Sequence, residues 1–286
     1  MSETVKWKDK EFELIHIDTG KTNMGRLNKF WVRDIKTDKI YLVKGTGWFG
    51  FEPYSEKMAF IIGKCMGIDI LEYDIIPAKL FKNLVKISRK CKYLSICEKI
   101  DNEEYTITTV ADLKKAHNSK LSSNEKQVTN KEIMYSTLSQ KYIDTMLLFD
   151  AIIGNTDRHY GNVHVLVGKN GEIVEAPILD NGASLLATCY RFQLIAYRNS
   201  IGEKLNKAYT LKKNHDLQME YISTLKDIDI QIVPFTLQVI EEMEPVLQLL
   251  PKYRAKAIKR YIVYRIHKYL GMLKNIEMNK NVTSDT

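Results

Sequence analysis

Alternating apolar and polar positions dominate the first part of the chain. FELIHI (12–17), LNKFWVRDI (27–35) and KIYLVKG (39–45) are rich in β-branched and aromatic residues and read as strands. DTGKTNMGR (18–26) joins the first pair as a loop, and KTD (36–38) joins the second as a tight turn. The period then lengthens. In SEKMAFIIGKCMG (55–67), Met58, Ile61, Ile62, Cys65 and Met66 recur at helical spacing, with Ser55 as the expected cap and Gly67 as the stop. Residues 70–100 return to strand texture, where Pro77 marks an edge or a break. From about 108 the pattern is helical, interrupted by the polar stretch 117–131, which reads as a surface loop. A strong amphipathic helix is expected over 137–153, with Tyr142, Ile143, Met146, Leu147, Phe149 and Ile153 on one broad face. VHVLV, GKNG and EIVEAPILD follow, and Asn170-Gly171 between two apolar runs signals a hairpin. In 252–274, Ile258, Tyr261, Ile262, Arg265, Ile266, Tyr269 and Leu270 repeat at helical intervals, and the tail NKNVTSDT is expected to fray. The pattern predicts an α+β chain with its seam in 95–110: a strand-rich front of residues 1–95 with one helix, and a larger helical back of residues 96–286.

Composition narrows the class. The 286 residues suit one large domain or two lobes sharing a cleft, and 44% hydrophobic content excludes a disordered chain. No run of about 18 apolar residues is present, so no membrane span is expected. MSETVKWKDKEFE lacks the apolar core of a signal peptide. Cys65, Cys91, Cys97 and Cys189 form no C-x-x-C pair and have no histidine at zinc-finger spacing, so reduced thiols and a cytoplasmic location are expected. The net charge of +8 favours anionic partners. The lysines are spread along the chain, however, and read as a solvated surface with no clear nucleic-acid site. Lys252, Lys256, Lys259 and Lys274 on the outer face of the last helix fit that reading, or a lipid or nucleic-acid contact.

Candidate chemistry sits in GNTDRHYGN (154–162). Asp157 and Asn162 are five residues apart, the Asp-to-Asn spacing of a protein-kinase catalytic loop. A phosphoryl acceptor hydroxyl needs a carboxylate to orient it and take its proton, and an amide oxygen can hold Mg²⁺ without adding negative charge. The hairpin after Asn162 returns the chain to the same place and ends in Asp180, a second metal-ligand candidate. Upstream, Lys44 ends the strand YLVK, as a phosphate-pairing lysine would. Glu56 follows in the expected first turn of the next helix, where it can hold Lys44 or simply favour the helix dipole. Gly20 and Gly25 flank a turn between two strands, which can cradle phosphates or be a plain hairpin loop. Gly20-Lys21-Thr22 is no Walker A end, because Ile15 stands where that motif needs glycine. The plain alternative for Asn155-Thr156-Asp157 is an Asx-type turn that stops the helix.

IGNTDRHYGN (153–162) with APILDNGASL (176–185) resembles the HipA-type bacterial serine/threonine kinases, and DRHYGN resembles the D-R-H-x-x-N loop of phosphoinositide 3- and 4-kinases. YLVKG and YSEKMAFIIGKCMGI (54–68) look like the family's lysine strand and following helix. The resemblance implies a two-lobed protein-kinase-like fold with a small antiparallel-sheet N-lobe and a larger helical C-lobe. It implies ATP and Mg²⁺ as cofactors, with Asp157 as catalytic base, His159 near the γ-phosphate, Asn162 and Asp180 as metal ligands, and Lys44 on nucleotide phosphates. The expected partner is a protein carrying a Ser or Thr acceptor, or the chain itself. The family's additional N-terminal subdomain has no counterpart ahead of the first strand, which argues against a HipB-like antitoxin partner. Thr19 and Thr22 stand where the family has a serine-containing phosphate loop, and Asp180 is followed by Asn-Gly, not Phe-Gly. A lipid or small-molecule kinase using the same site, and a nucleotide-binding pseudokinase acting as an interaction module, are the alternatives.

Overall fold

The computed structural model describes residues 4–18, 29–46, 50–87, 91–122, 125–225 and 230–284. Gly20, Gly25, Thr19 and Thr22 lie outside the described residues. The chain opens with a meander of β1 (Thr4–Trp7), β2 (Lys10–Asp18), β3 (Lys29–Asp34) and β4 (Ile40–Lys44), all antiparallel. Helix α1 (Glu52–Cys65) follows, then β5 (Asp74–Pro77) and β6 (Tyr93–Glu98), which complete a sheet of order β1-β2-β3-β4-β6-β5. Strict alternation along β3 sends Phe30 and Val32 inward, where they meet Phe12, Val43, Phe81 and Leu94 in a core of their own. Pro77 ends the edge strand, where its missing N–H breaks no ladder.

Helix α1 begins four residues earlier than the pattern suggests. Pro53 sits at its first positions, where a missing N–H costs nothing, and Phe51 takes the cap position. Ser55 is therefore not a cap. It is buried one turn in, and its hydroxyl donates to the Ser184 carbonyl at 2.8 Å. The same shift moves Glu56 out of the first turn and away from the helix dipole's reach.

The second part starts with β7 (Tyr105–Thr109), α2 (Val110–Asn118), α3 (Asn130–Thr137) and α4 (Gln140–Ile153). Strand β7 departs from the sequence pattern: its run YTITT stands at the point where the pattern turns helical, and it pairs with β8 (His164–Gly168), which pairs in turn with β9 (Ile173–Glu175). The helix expected over 137–153 is split at Leu138, because Ser139 caps α4 through a bond from the Tyr142 N–H. Gly171, at φ +83, turns the β8–β9 hairpin. Then come α5 (Arg191–Ala196), α6 (Ile201–Lys204), α7 (His215–Met219), α8 (Ile232–Leu247) and α9 (Lys252–Ser284). The backbone of α9 stays helical to Ser284, past the point where fraying was expected.

The large core joins α4, α8 and α9 to the inner face of α1 through Tyr54, Met58, Ala59 and Ile62. Helix α1 therefore belongs to the front sheet by sequence and to both halves by packing. A second tie runs through the backbone: Leu71 N–H donates to Ile178 O and Ile178 N–H to Asp69 O, both at 3.0 Å. Among the described residues no helix is long and apolar enough to cross a membrane.

Candidate active site

The site grows from the end of α4. Gly154 closes that helix in the left-handed conformation at φ +64, and a Cβ there would lie 2.0 Å from the Tyr261 hydroxyl oxygen. The chain then turns on Asn155, whose Oδ1 accepts from the Asp157 N–H at 3.0 Å. The Asx turn of the plain reading is thus present, and it aims Asp157 outward. Thr156 fastens this loop to the segment after Asp180, its hydroxyl donating to Ala183 O at 2.9 Å.

Lys44, Glu56, Asp157, His159, Asn162 and Asp180 all line one cleft of about 630 Å³. Lys44 is buried at 4% exposure, and its Nζ lies 3.2 Å from Glu56 Oε1 and 3.1 Å from Asp180 Oδ1. Its ammonium also sits 4.7 Å from the centre of the Tyr73 ring. Burial opposes the Lys44 charge, but the Asp180 and Glu56 carboxylates outweigh it and hold the pKa well above the usual 10.5. Glu56 bridges the two halves: Oε1 holds Lys44, and Oε2 accepts the Asn181 N–H at 2.9 Å.

The two outer carboxylates are pushed apart. The Lys44 charge, outweighing burial, depresses the Asp180 pKa far below the ordinary 3.8. Partial burial in the cleft and the Asp180 charge raise that of Asp157, against the opposing pull of His159. Asp180 is thus fixed as an anion, and Asp157 is the better base. His159 Nε2 lies 3.8 Å from Asp157 Oδ1, and its Nδ1 accepts the Gly161 N–H. Asn162 Nδ2 donates to the Asp157 carbonyl at 2.8 Å and to Asp157 Oδ2 at 3.3 Å, which leaves the amide oxygen available.

That donor set fits magnesium. A carboxylate and an amide oxygen are hard ligands, and Mg²⁺ commonly takes one or two protein oxygens and fills its shell with phosphate and water. Among the described residues no group of three or more His, Cys, Asp or Glu side chains could hold a metal alone.

Sequence reasoning passed over Arg158, between the two residues it singled out. Arg158 is 2% exposed and pairs with the fully buried Asp150, Nε to Oδ2 at 3.0 Å. Its other nitrogens donate to Asn162 O at 2.9 Å, to Leu179 O at 2.5 Å and to Asn181 Oδ1 at 2.5 Å. One guanidinium thus fixes the backbone beside both candidate metal ligands. The available signal was Asp150 itself, an acid inside the apolar run LLFDAII. Lys29, at the start of β3, also lines the cleft and helps to lower the Asp180 pKa.

Behind the loop lies His215, 1% exposed, with the backbones of Asn155 and Lys207 beside its ring. Burial, then the Arg265 charge, push its pKa well below the ordinary 6.5. The unfolded chain therefore binds this proton more readily, and stability falls as pH drops below the unfolded value. We expect His215→Gln to lose less melting temperature than the wild type between about pH 7 and pH 5. Equal losses in thermal unfolding would assign the acid sensitivity to other groups.

The sheet-rich front, the helical back and the cleft between them define a two-lobed kinase-like fold. The crystal structure of a Helicobacter pylori proinflammatory kinase, CtkA, is similar to this chain: TM-score 0.58, 16% sequence identity, covering 92% of this chain and 96% of that one. No family model matches the sequence, and no curated protein matches it.

Proposed function

We propose that this chain is a HipA-like, ATP- and Mg²⁺-dependent kinase that phosphorylates Ser or Thr hydroxyls of a protein in the cytoplasm. One observation carries the reading: a buried lysine from the front sheet meets Asp157, Asn162 and Asp180 from the back half in a single cleft. Asn162 and Asp180 would hold the metal, and Lys44 would pair with nucleotide phosphates. The bound magnesium–nucleotide complex would supply the phosphoryl group and the positive charge that offsets its transfer. Glu56 keeps Lys44 extended toward the cleft by bonding both Lys44 and Asn181. Asp157 orients the acceptor hydroxyl and accepts its proton, a role suited to a carboxylate of raised pKa. His159, exposed beside Asp157, would add positive charge near the transferred group when protonated.

The test is transfer of label from γ-labelled ATP to a generic protein acceptor, beside Asp180→Ala and Lys44→Met. Labelling by wild type should vanish on chelation of Mg²⁺ and drop by about 100-fold or more in Asp180→Ala. Full labelling by Asp180→Ala would remove the metal site from this reading. A lipid acceptor is the second reading, favoured by the exposed Tyr190, Phe192 and Ile195 beside the exposed Arg191 and Arg198. Running anionic lipid vesicles in parallel decides between the two acceptors.

A further inference from the structure

The cleft contains an acceptor hydroxyl of its own. Among the described residues three hydroxyl side chains line it: Ser95, Thr109 and Thr188. Two are committed elsewhere. Ser95 is 2% exposed within β6, in register with Lys44. Thr109 caps α2: its hydroxyl accepts the Asp112 N–H at 3.1 Å and donates to Asp112 Oδ2 at 2.8 Å. Thr188 is exposed and forms no hydrogen bond with the other described residues.

Its backbone is held from both sides. Arg254, 2% exposed, donates to Leu186 O at 2.6 Å and to Cys189 O at 2.7 Å, straddling Thr188. The Arg254 guanidinium rests 3.7 Å from the centre of the Phe51 ring, at the foot of α1. Upstream, Leu185 and Leu186 both adopt positive φ, at +49 and +64, a conformation leucine takes only where its surroundings enforce it. Leu185 N–H is bonded to Ile153 O, at the end of the helix that carries the Asp157 loop. The strained turn therefore returns the chain to the cleft and presents Thr188 on a fixed frame. A hydroxyl placed in this way gains the advantage of proximity over any acceptor that must arrive from solution.

We propose that Thr188 is phosphorylated by the same molecule that carries it. The proposal rests on the kinase reading above and names an acceptor for that site. Thr188 Oγ1 forms a bond to the γ-phosphorus of a nucleoside triphosphate. The bond from that phosphorus to the oxygen bridging to the β-phosphate breaks, and the nucleoside diphosphate leaves with that oxygen. The hydroxyl proton passes to the Asp157 carboxylate.

The experiment incubates the whole protein with ATP and Mg²⁺ at several protein concentrations and maps phosphate by mass spectrometry. Cleavage after Lys169 and Arg191 releases one peptide holding Ser184, Thr188 and Tyr190, so two other hydroxyls serve as controls within it. The expected result is phosphate on Thr188 with a rate constant independent of protein concentration. It is lost in Thr188→Ala and retained at the same position in Thr188→Ser. Phosphate on Ser184, on Tyr190 or within residues 19–28 instead would overturn the proposal. So would a rate that rises with protein concentration. Label on an external acceptor with this peptide unmodified overturns the proposal and leaves the kinase reading standing. No transfer to any acceptor sinks both. A second readout needs no turnover. In Thr188→Cys, a non-hydrolysable ATP analogue at about ten times its dissociation constant should slow alkylation of the new thiol about tenfold. The partly exposed Cys65 serves as the unprotected control. Unchanged alkylation at position 188 would put it out of the nucleotide's reach and overturn the proposal.

Discussion

Asp157→Asn should lower phosphotransfer by about 10²- to 10⁴-fold, the usual contribution of a positioned general base. The fold should survive the change. The Asp157 side chain is 53% exposed, and its contacts are the 3.3 Å bond from Asn162 Nδ2 and the 3.8 Å approach of His159. An amide in its place still offers an oxygen to Asn162. Nucleotide affinity should change little, because Lys44, proposed to pair with the phosphates, makes its ion pairs with Asp180 and Glu56 and none with Asp157. Stability should not fall with activity. Burial and the Asp180 charge raise the Asp157 pKa, so the ionised carboxylate is held at some expense to the fold. Asn removes that burden, and the variant should melt at or slightly above the wild-type temperature. The pH profile carries the same information. Wild-type activity should rise with pH as Asp157 ionises, and residual activity in Asp157→Asn should lack that limb. An Asn variant with wild-type turnover and the same acid limb would take the base assignment away from Asp157.

The parts of this site differ in how plainly the sequence announces them, and the difference is physical. Asp157 and Asn162 lie on one short loop, and Asp180 returns on a hairpin whose Asn-Gly turn is legible. Local geometry therefore links the three. Lys44 is legible because a lone cation ends an apolar strand. Glu56 fits two readings in the sequence because the start of α1 decides its surroundings. Pro53, at the helix start, sets that boundary, while Ser55 offers a more conspicuous but false cap. Strand β7 was hidden for a related reason. YTITT has strand composition, but Thr109 is both the last residue of the strand and the cap of α2, so helical texture begins with no intervening turn. Arg158 was the least legible. Apart from Asn162 O, four residues on, its partners are Asp150, eight residues back, and Leu179 and Asn181, more than twenty residues on. Nothing local in DRH says that the arginine points inward while its neighbours point out.

That inward arginine makes the strongest prediction for stability. Arg158→Met leaves the Asp150 carboxylate with no exposure and without its cation, keeping the Asn155 amide, 3.1 Å away, as a neutral donor. Removing one member of a buried pair costs about 3–5 kcal/mol, a large share of the roughly 5–15 kcal/mol that holds a domain together. Arg158→Lys should rescue little. One ammonium cannot reach Asp150, Asn162 O, Leu179 O and Asn181 Oδ1 at once, whereas the planar fork does. Loss of stability alone would also lower activity, so the deciding variant is Asp150→Leu with Arg158→Met. Replacing both charges with apolar groups should restore much of the stability, because no buried charge is left unpaired. It should not restore phosphotransfer. The backbones of Asn162 and Leu179, which place the two candidate metal ligands, would still lack their shared donor. Denaturant unfolding and labelling from γ-labelled ATP, measured on the same preparations, separate the two effects. A double variant that regains both stability and turnover would show that the loops hold their places without the guanidinium, and Arg158 would then be a core residue and nothing more.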